Sequence, residues 1–212
     1  MTATDEQHPI KPAQSRRGRG FSVVHIEPGS AWGLSGGRVY VKRQEGYWCR
    51  PAWRLFRKTP TLRRELRGLF ACMRLGVDVP GVVHYEDDGK RATLVLTEVA
   101  EALPLDQALA RPGADRAAIL RSVADAIARL HAGGWSHGAL GGPHILVREG
   151  AAAPVVLIDL EKARFSPLQR RQDLNRLIRR CRFLGPDDAR ALIAQYRASR
   201  RAARQRWFSP AD

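Results

Sequence analysis

Apolar and polar positions follow two different rhythms along this chain, and the change comes near residue 99. Before it, Phe21 to Glu27, Arg38 to Gln44 and Arg91 to Val99 carry the short-period, β-branched pattern of strands, with Val82 to Asp87 a weaker fourth. The first two are joined by Pro28 to Gly37, which holds four glycines in ten residues and so forms a loop whose backbone can approach another group closely. Between the strands, Thr59-Pro60 predicts a helix start, with Thr59 as cap and Pro60 at the first helical position, and Gly76 predicts its stop. Leu62, Leu66, Leu69, Phe70 and Met73 form the expected apolar stripe. Glu65 falls about 60° from Leu62 and 40° from Leu69 on a helical wheel, so one carboxylate turns inward while Arg63, Arg64 and Arg67 point away. An ordinary surface pair is the plainer alternative for that glutamate.

After Val99 the period lengthens. Asp115 to Ala132 reads as a helix with Ile119, Leu120, Val123, Ile127 and Leu130 on one face, ending at Gly133-Gly134. Two short strand-like segments, His144 to Arg148 and Val155 to Leu160, flank a turn at Glu149-Gly150. Helices follow at about Gln172 to Leu184 and Pro186 to Arg206, the second with Asp187 and Asp188 favourably placed in its first turn.

Composition narrows the class. Forty-four per cent apolar residues in 212 suit one compact domain, or a small lobe packed on a larger one, and exclude a disordered, collagen-like or disulfide-stapled chain. Three dispersed cysteines, Cys49, Cys72 and Cys181, suggest neither a disulfide framework nor a CxxC zinc site and fit a reducing compartment. Residues 1–20 are polar, carry Arg16, Arg17 and Arg19 and lack an apolar signal core, so a flexible basic arm is expected. The longest apolar run, Ala151 to Ile158, is too short to span a bilayer, and the expectation is a soluble, intracellular protein. The net charge of +15 is concentrated between Lys162 and Trp207, where 14 basic residues face 3 acidic ones.

Candidate chemistry lies in residues 130–160. A helix ends at Leu130-His131, a loop Ser136-His137-Gly138-Ala139-Leu140-Gly141-Gly142-Pro143-His144 follows, and a second strand ends on Asp159. This order resembles the catalytic loop and metal-binding strand of the protein kinase fold, in which His-x-Asp-x-x-x-x-Asn is followed by a hairpin and a metal-holding Asp. His137 and His144 stand seven apart, as that motif's first and last positions do. In the same frame Val39-Tyr40-Val41-Lys42-Arg43-Gln44 resembles the third strand with its phosphate-binding Lys42, and Glu65 its helix partner. The Gly29 and Gly33 segment resembles the phosphate-covering loop, and Leu94 to Val99, with Glu98, the strand running into the hinge beside the nucleotide.

Within that fold the chain resembles the lipopolysaccharide kinase family (Kdo/WaaP type, InaA-like). The likeness rests on Tyr40-Val41-Lys42-Arg43-Gln44, on Phe56 to Glu65, on His137-Gly138-x-Leu140 with His144 replacing the usual Asn, and on Leu157-Ile158-Asp159-Leu160-Glu161-Lys162-Ala163-Arg164. It covers about residues 21–200. It implies an α+β, two-lobed kinase-like fold: residues 21–99 as a small antiparallel-sheet lobe with one helix, 100–208 as a reduced helical lobe, and 209–212 as a tail. It also implies an ATP-dependent phosphotransferase that uses Mg²⁺ and phosphorylates a sugar of the lipopolysaccharide inner core, or of a related glycolipid, at the cytoplasmic face of a bacterial inner membrane. In that frame Lys42 and Glu65 serve the triphosphate, Asp159 holds the metal, His144 stands at the second metal position and is best suited to an orienting role, and His137 braces the loop.

Two departures matter. Ala139 occupies the position of the base Asp and can neither accept a proton nor orient a hydroxyl, so a catalytically impaired nucleotide-binding or interaction module is the competing expectation. Gly141-Gly142-Pro143 removes side chains that would line the acceptor side. Asp173 is read either as a brace for the loop or as a helix first-turn residue, and His131 as a packed or capping histidine. Arg176, Arg179, Arg180, Arg182, Arg197, Arg200, Arg201, Arg204 and Arg206, with Trp207 and Phe208, suit a peripheral contact with anionic lipid or a simple solvated face. Nucleic acid is disfavoured because no recognised binding signature accompanies the charge.

Overall fold

The computed structural model describes residues 20–51, 55–148, 155–167 and 170–208. The expected basic arm up to Arg19, the Glu149-Gly150 turn and the tail beyond Phe208 lie outside them. The chain divides into two compact units. The division is interleaved rather than a single cut near residue 99: Pro80–Glu98 goes with the first unit and Gly68–Val79 with the second.

The first unit is built on an antiparallel sheet in the order β1-β2-β6-β5, from β1 (Phe21–Pro28), β2 (Arg38–Glu45), β5 (Val82–Asp87) and β6 (Arg91–Thr97). Strict alternation decides its faces: Val39, Val41 and Val95 are fully buried and carry Trp32, Leu34 and Val83 against them, while Lys42 projects to the other side. Lys42 stands opposite Leu94 on β6 and Val24 on β1, so neighbours on both sides fix its strand. Thr59-Pro60 does not open the helix. It forms strand β4, paired with β3 (Trp48–Cys49), and α1 runs Thr61–Arg74. The residue before a proline favours extended backbone, which suits Thr59 to a strand.

The buried face of α1 also departs from the expected stripe. Leu62, Glu65, Leu69, Ala71 and Cys72 are buried, whereas Phe70 and Met73 are exposed. The two halves of α1 belong to different units, so no single stripe serves the whole helix. In its second half Gly68 lets the helix lie flush on the segment after Asp159: a Cβ there would stand 2.9 Å from that of Ala163 and 3.1 Å from that of Leu160.

In the second unit, α3 (Arg116–Ala132) packs against α5 (Pro186–Phe208). Asp115 caps α3 by accepting from the Ala118 N–H at 2.9 Å, and Ile119, Leu120, Val123, Ile127 and Leu130 are buried as the period implies. β7 (Ala102–Pro104) leads into the short α2 (Leu105–Ala110), and β7 joins β9 (Ile145–Arg148) and β10 (Val155–Leu157) in a sheet of order β10-β9-β7. β8 (Trp135–Ser136) pairs with β11 (Arg164–Phe165). Helix α4 spans Arg170–Arg180, four residues shorter at its end than its pattern suggests. β10 stops at Leu157, short of the expected Leu160, and Asp159 enters the left-handed region at φ 60°.

Candidate active site

In the first unit, alternation on β2 and the inward position of Glu65 on α1 bring one cation and one carboxylate together. Lys42 Nζ donates to Glu65 Oε1 at 2.6 Å, with the Glu65 side chain fully buried and that of Lys42 17% exposed. A charge so deeply placed is tolerated only with a partner of opposite sign. The glycine-rich segment closes the β1–β2 hairpin through a 3₁₀ turn at Gly29–Trp32. Gly29 donates to Gly37 O at 2.8 Å, and a Cβ at Gly29 would stand 2.6 Å from Gly36 O, so this glycine serves loop closure. Gly33 differs: it is left-handed at φ 77° with nothing within 4 Å of a Cβ position, leaving its backbone open to an approaching group. The Glu98 carboxylate is taken up by Arg38 at 2.6 and 2.9 Å, and its N–H donates to Arg38 O at 2.9 Å.

In the second unit, the loop after α3 is held by its backbone. Asp173, in the first turn of α4 and 1% exposed, accepts from His137 N at 2.6 Å and Gly138 N at 3.0 Å. His131 Nε2 lies 3.3 Å from the same carboxylate, and His131 Nδ1 lies 2.9 Å from the Tyr196 hydroxyl on α5. With Asp173 accepting, Nε2 carries the proton and Tyr196 donates to Nδ1. Both sequence readings of Asp173 therefore hold at once, and His131 is packed rather than capping. Burial would raise the Asp173 pKa, but the hydrogen bond and charge of His131 and the His137 N–H outweigh it and hold the carboxyl below its ordinary value. Arg176 completes the clamp, donating to Gly138 O at 2.7 Å.

His137 is fully buried, and its Nε2 donates to Ile158 O at 3.0 Å. Burial lowers its pKa, which keeps the ring neutral and suits bracing rather than proton transfer. Its ring stacks on that of His144 at 5.8 Å between centroids. His144 Nδ1 bonds Ala139 O at 2.8 Å, and since a carbonyl only accepts, that nitrogen carries the proton. His144 Nε2 then faces Asp159 Oδ2 at 3.3 Å, beside a carboxylate 35% exposed. The nitrogen and the carboxylate oxygen together offer a pair of donors that suits a cation. Mg²⁺ prefers oxygen and commonly uses one or two carboxylates with phosphate and water, so the chemistry of the partly exposed Asp159 carboxylate fits that ion. Among the described residues no group of three or more His, Cys, Asp or Glu side chains gathers as a metal cage.

Ala139 is 8% exposed and its side chain brings no acceptor. The glycines around it are packed. A Cβ at Gly138, which has φ 80°, would stand 2.4 Å from Lys162 O, and one at Gly142 would stand 2.1 Å from the Asp106 carboxylate.

The sequence model of the lipopolysaccharide kinase (Kdo/WaaP) family matches residues 2–196. The chain belongs to that family. It is accordingly a phosphotransferase of the kinase type. The crystal structure of an aminoglycoside-3'-phosphotransferase of type VIII is similar to this kinase at TM-score 0.61 and 17% identity, covering 97% of this chain and 88% of that one. That likeness supports the kinase-like α+β fold. Among curated proteins none matches the sequence. Sequence reasoning missed Tyr196 in this kinase, because an α5 residue 65 positions from His131 gives no local signal.

Proposed function

We propose that this kinase transfers the γ-phosphate of ATP to a sugar hydroxyl of the lipopolysaccharide inner core, or of a closely related glycolipid, at the cytoplasmic face of the inner membrane. The observation that carries the reading is the buried Lys42–Glu65 pair, 2.6 Å apart on β2 and α1. Phosphoryl transfer has a loose transition state, and its catalysis is mostly positioning and charge neutralisation. Lys42, oriented by Glu65, would bind α/β-phosphate oxygens, and the Gly29–Gly33 backbone, open at Gly33, and the strand end at Glu98 would contribute to holding the nucleotide. Asp159 would hold Mg²⁺, which supplies charge neutralisation when bound. His144 would stand beside Asp159 at the ion, and His137 would hold the loop through Ile158 O. No helix among the described residues is long and apolar enough to cross a membrane. The exposed Arg179, Arg180, Arg182, Arg197 and Arg201 would give peripheral contact with anionic lipid. The side chains of Arg204, Arg206, Trp207 and Phe208 lie outside the described residues.

Ala139 favours a second reading, a nucleotide-binding module of the same fold without turnover. Base assistance is typically worth about 10²–10⁴-fold, so its loss leaves either slow transfer or none. Labelled phosphate transfer from Mg·ATP to a lipopolysaccharide fraction, beside Lys42→Met and Ala139→Asp, separates the two. Transfer by the wild type that disappears in Lys42→Met supports the enzyme. Transfer only by Ala139→Asp supports the inactive module. Calorimetric ATP binding that is equal in wild type and Lys42→Met would overturn both.

A further inference from the structure

One contact in the second unit carries more information than charge neutralisation of a triphosphate requires. His144 Nδ1 gives its proton to Ala139 O at 2.8 Å, which leaves Nε2 a bare lone pair. That lone pair faces Asp159 Oδ2 at 3.3 Å, so two electron-rich atoms are turned toward each other. The backbone enforces the approach. Ile158 N donates to His144 O at 3.0 Å, and Leu157 pairs with Ile145 across β10 and β9. His137 ties the same strand end by donating from Nε2 to Ile158 O at 3.0 Å, and its ring stacks on that of His144. Asp159 sits in left-handed backbone at φ 60°, a conformation that aspartate tolerates better than most residues. Imidazole and carboxylate are therefore in position before any ligand arrives.

His144 has the arrangement of a ligating imidazole. Such a ring characteristically gives its other N–H to a backbone carbonyl or a carboxylate, which fixes the tautomer and the ring plane. Donors 3.3 Å apart subtend about 100° at an ion roughly 2.1 Å from each, close to adjacent positions of an octahedron. Both side chains keep contact with solvent, at 26% and 35% exposure, so an ion can enter. The nitrogen then decides which ion. Mg²⁺ holds to oxygen, whereas first-row transition ions accept imidazole, and Mn²⁺ is the member of that series that also keeps an oxygen-rich octahedral shell. We propose that His144 Nε2 and Asp159 Oδ2 together ligate a divalent first-row transition ion, Mn²⁺ foremost, in preference to Mg²⁺. The proposal rests on the reading of Asp159 as the ion-holding residue and adds the identity of the ion.

The test is Mn²⁺ titration of the full chain without nucleotide, read by the paramagnetic resonance of the free ion and repeated in competition with Mg²⁺. Wild type should hold Mn²⁺ at least about tenfold more tightly than Mg²⁺. His144→Asn exchanges the nitrogen for an amide oxygen and should weaken Mn²⁺ by at least about tenfold, with Mg²⁺ affinity unchanged or raised. Asp159→Asn should weaken both ions. The electron spin echo of bound Mn²⁺ should carry nitrogen modulation in wild type and lose it in His144→Asn, and the wild-type signal stands whether or not a variant folds. The proposal is overturned if wild type takes up no Mn²⁺, as a proton closing the His144–Asp159 pair would produce, or if Mg²⁺ competes on equal terms. It is equally overturned if bound Mn²⁺ shows no nitrogen modulation, if His144→Asn leaves the preference intact, or if Asp159→Asn leaves uptake intact. Because uptake is read without nucleotide or acceptor, its failure is distinct from any failure of phosphate transfer.

Discussion

Removing Lys42 should destabilise this kinase far more than removing the ion pair as a whole. Glu65 Oε1 accepts from Lys42 Nζ at 2.6 Å, and the glutamate side chain is 0% exposed against 17% for the lysine, so solvent screens the pair little. Lys42→Met leaves a buried carboxylate without that cation, a change of about 3–5 kcal/mol. In a chain of this length that lowers the thermal midpoint by roughly 10 °C. Lys42→Met/Glu65→Leu removes both charges and should lie within about 1 kcal/mol of wild type, since a buried pair roughly breaks even with apolar residues of similar volume. The coupling energy of the cycle is then at least about 3 kcal/mol, growing by whatever Glu65→Leu costs alone. Urea unfolding of the four proteins gives the stabilities, and ATP calorimetry should show binding lost in the double variant despite its restored fold. Additive effects, or a Lys42→Met change under about 1 kcal/mol, would refute the view that burial makes this pair interdependent.

Asp173→Ala strands two buried backbone N–H groups and should cost about 3 kcal/mol, with hydrogen exchange at the His137 and Gly138 amides accelerating before that of α3. His131 and His137 both have pKa values lowered by burial, so stability should be complete above about pH 6.5 and fall as pH drops below it. His131→Gln should flatten that slope in pH-dependent denaturation, and an unchanged slope would count against His131 as its source. Gly138→Ala places a Cβ 2.4 Å from Lys162 O at φ 80° and should cost at least about 2 kcal/mol, measured by urea midpoint, with transfer activity falling alongside.

The strands were legible because a sheet writes its two faces with period two: Val39 and Val41 on one, Lys42 on the other against Glu65. Glu65 was legible as an inward carboxylate because its helical angle depends only on neighbours on the same helix. Phe70 and Met73 were misread for the complementary reason. Their exposure depends on which unit each half of α1 serves, a tertiary fact without a local trace. The His137 loop and Asp159 were singled out by motif order, while the convergence of His131, Tyr196 and Asp173 joins three distant segments and was visible only in part, as an ambiguous aspartate.

The loop around residue 139 is held by Asp173 on two amides, by His137 on Ile158 O and by His144 on Ala139 O, and none of these bonds uses the side chain at 139. Scaffold and reactivity are therefore separable characters in this protein. A lineage could lose or regain the acceptor-side carboxylate by single substitutions while selection on the fold stayed blind to the change. The same separation makes position 139 a graft point, where an engineer can dial proton acceptance across side chains and read chemistry against a constant background.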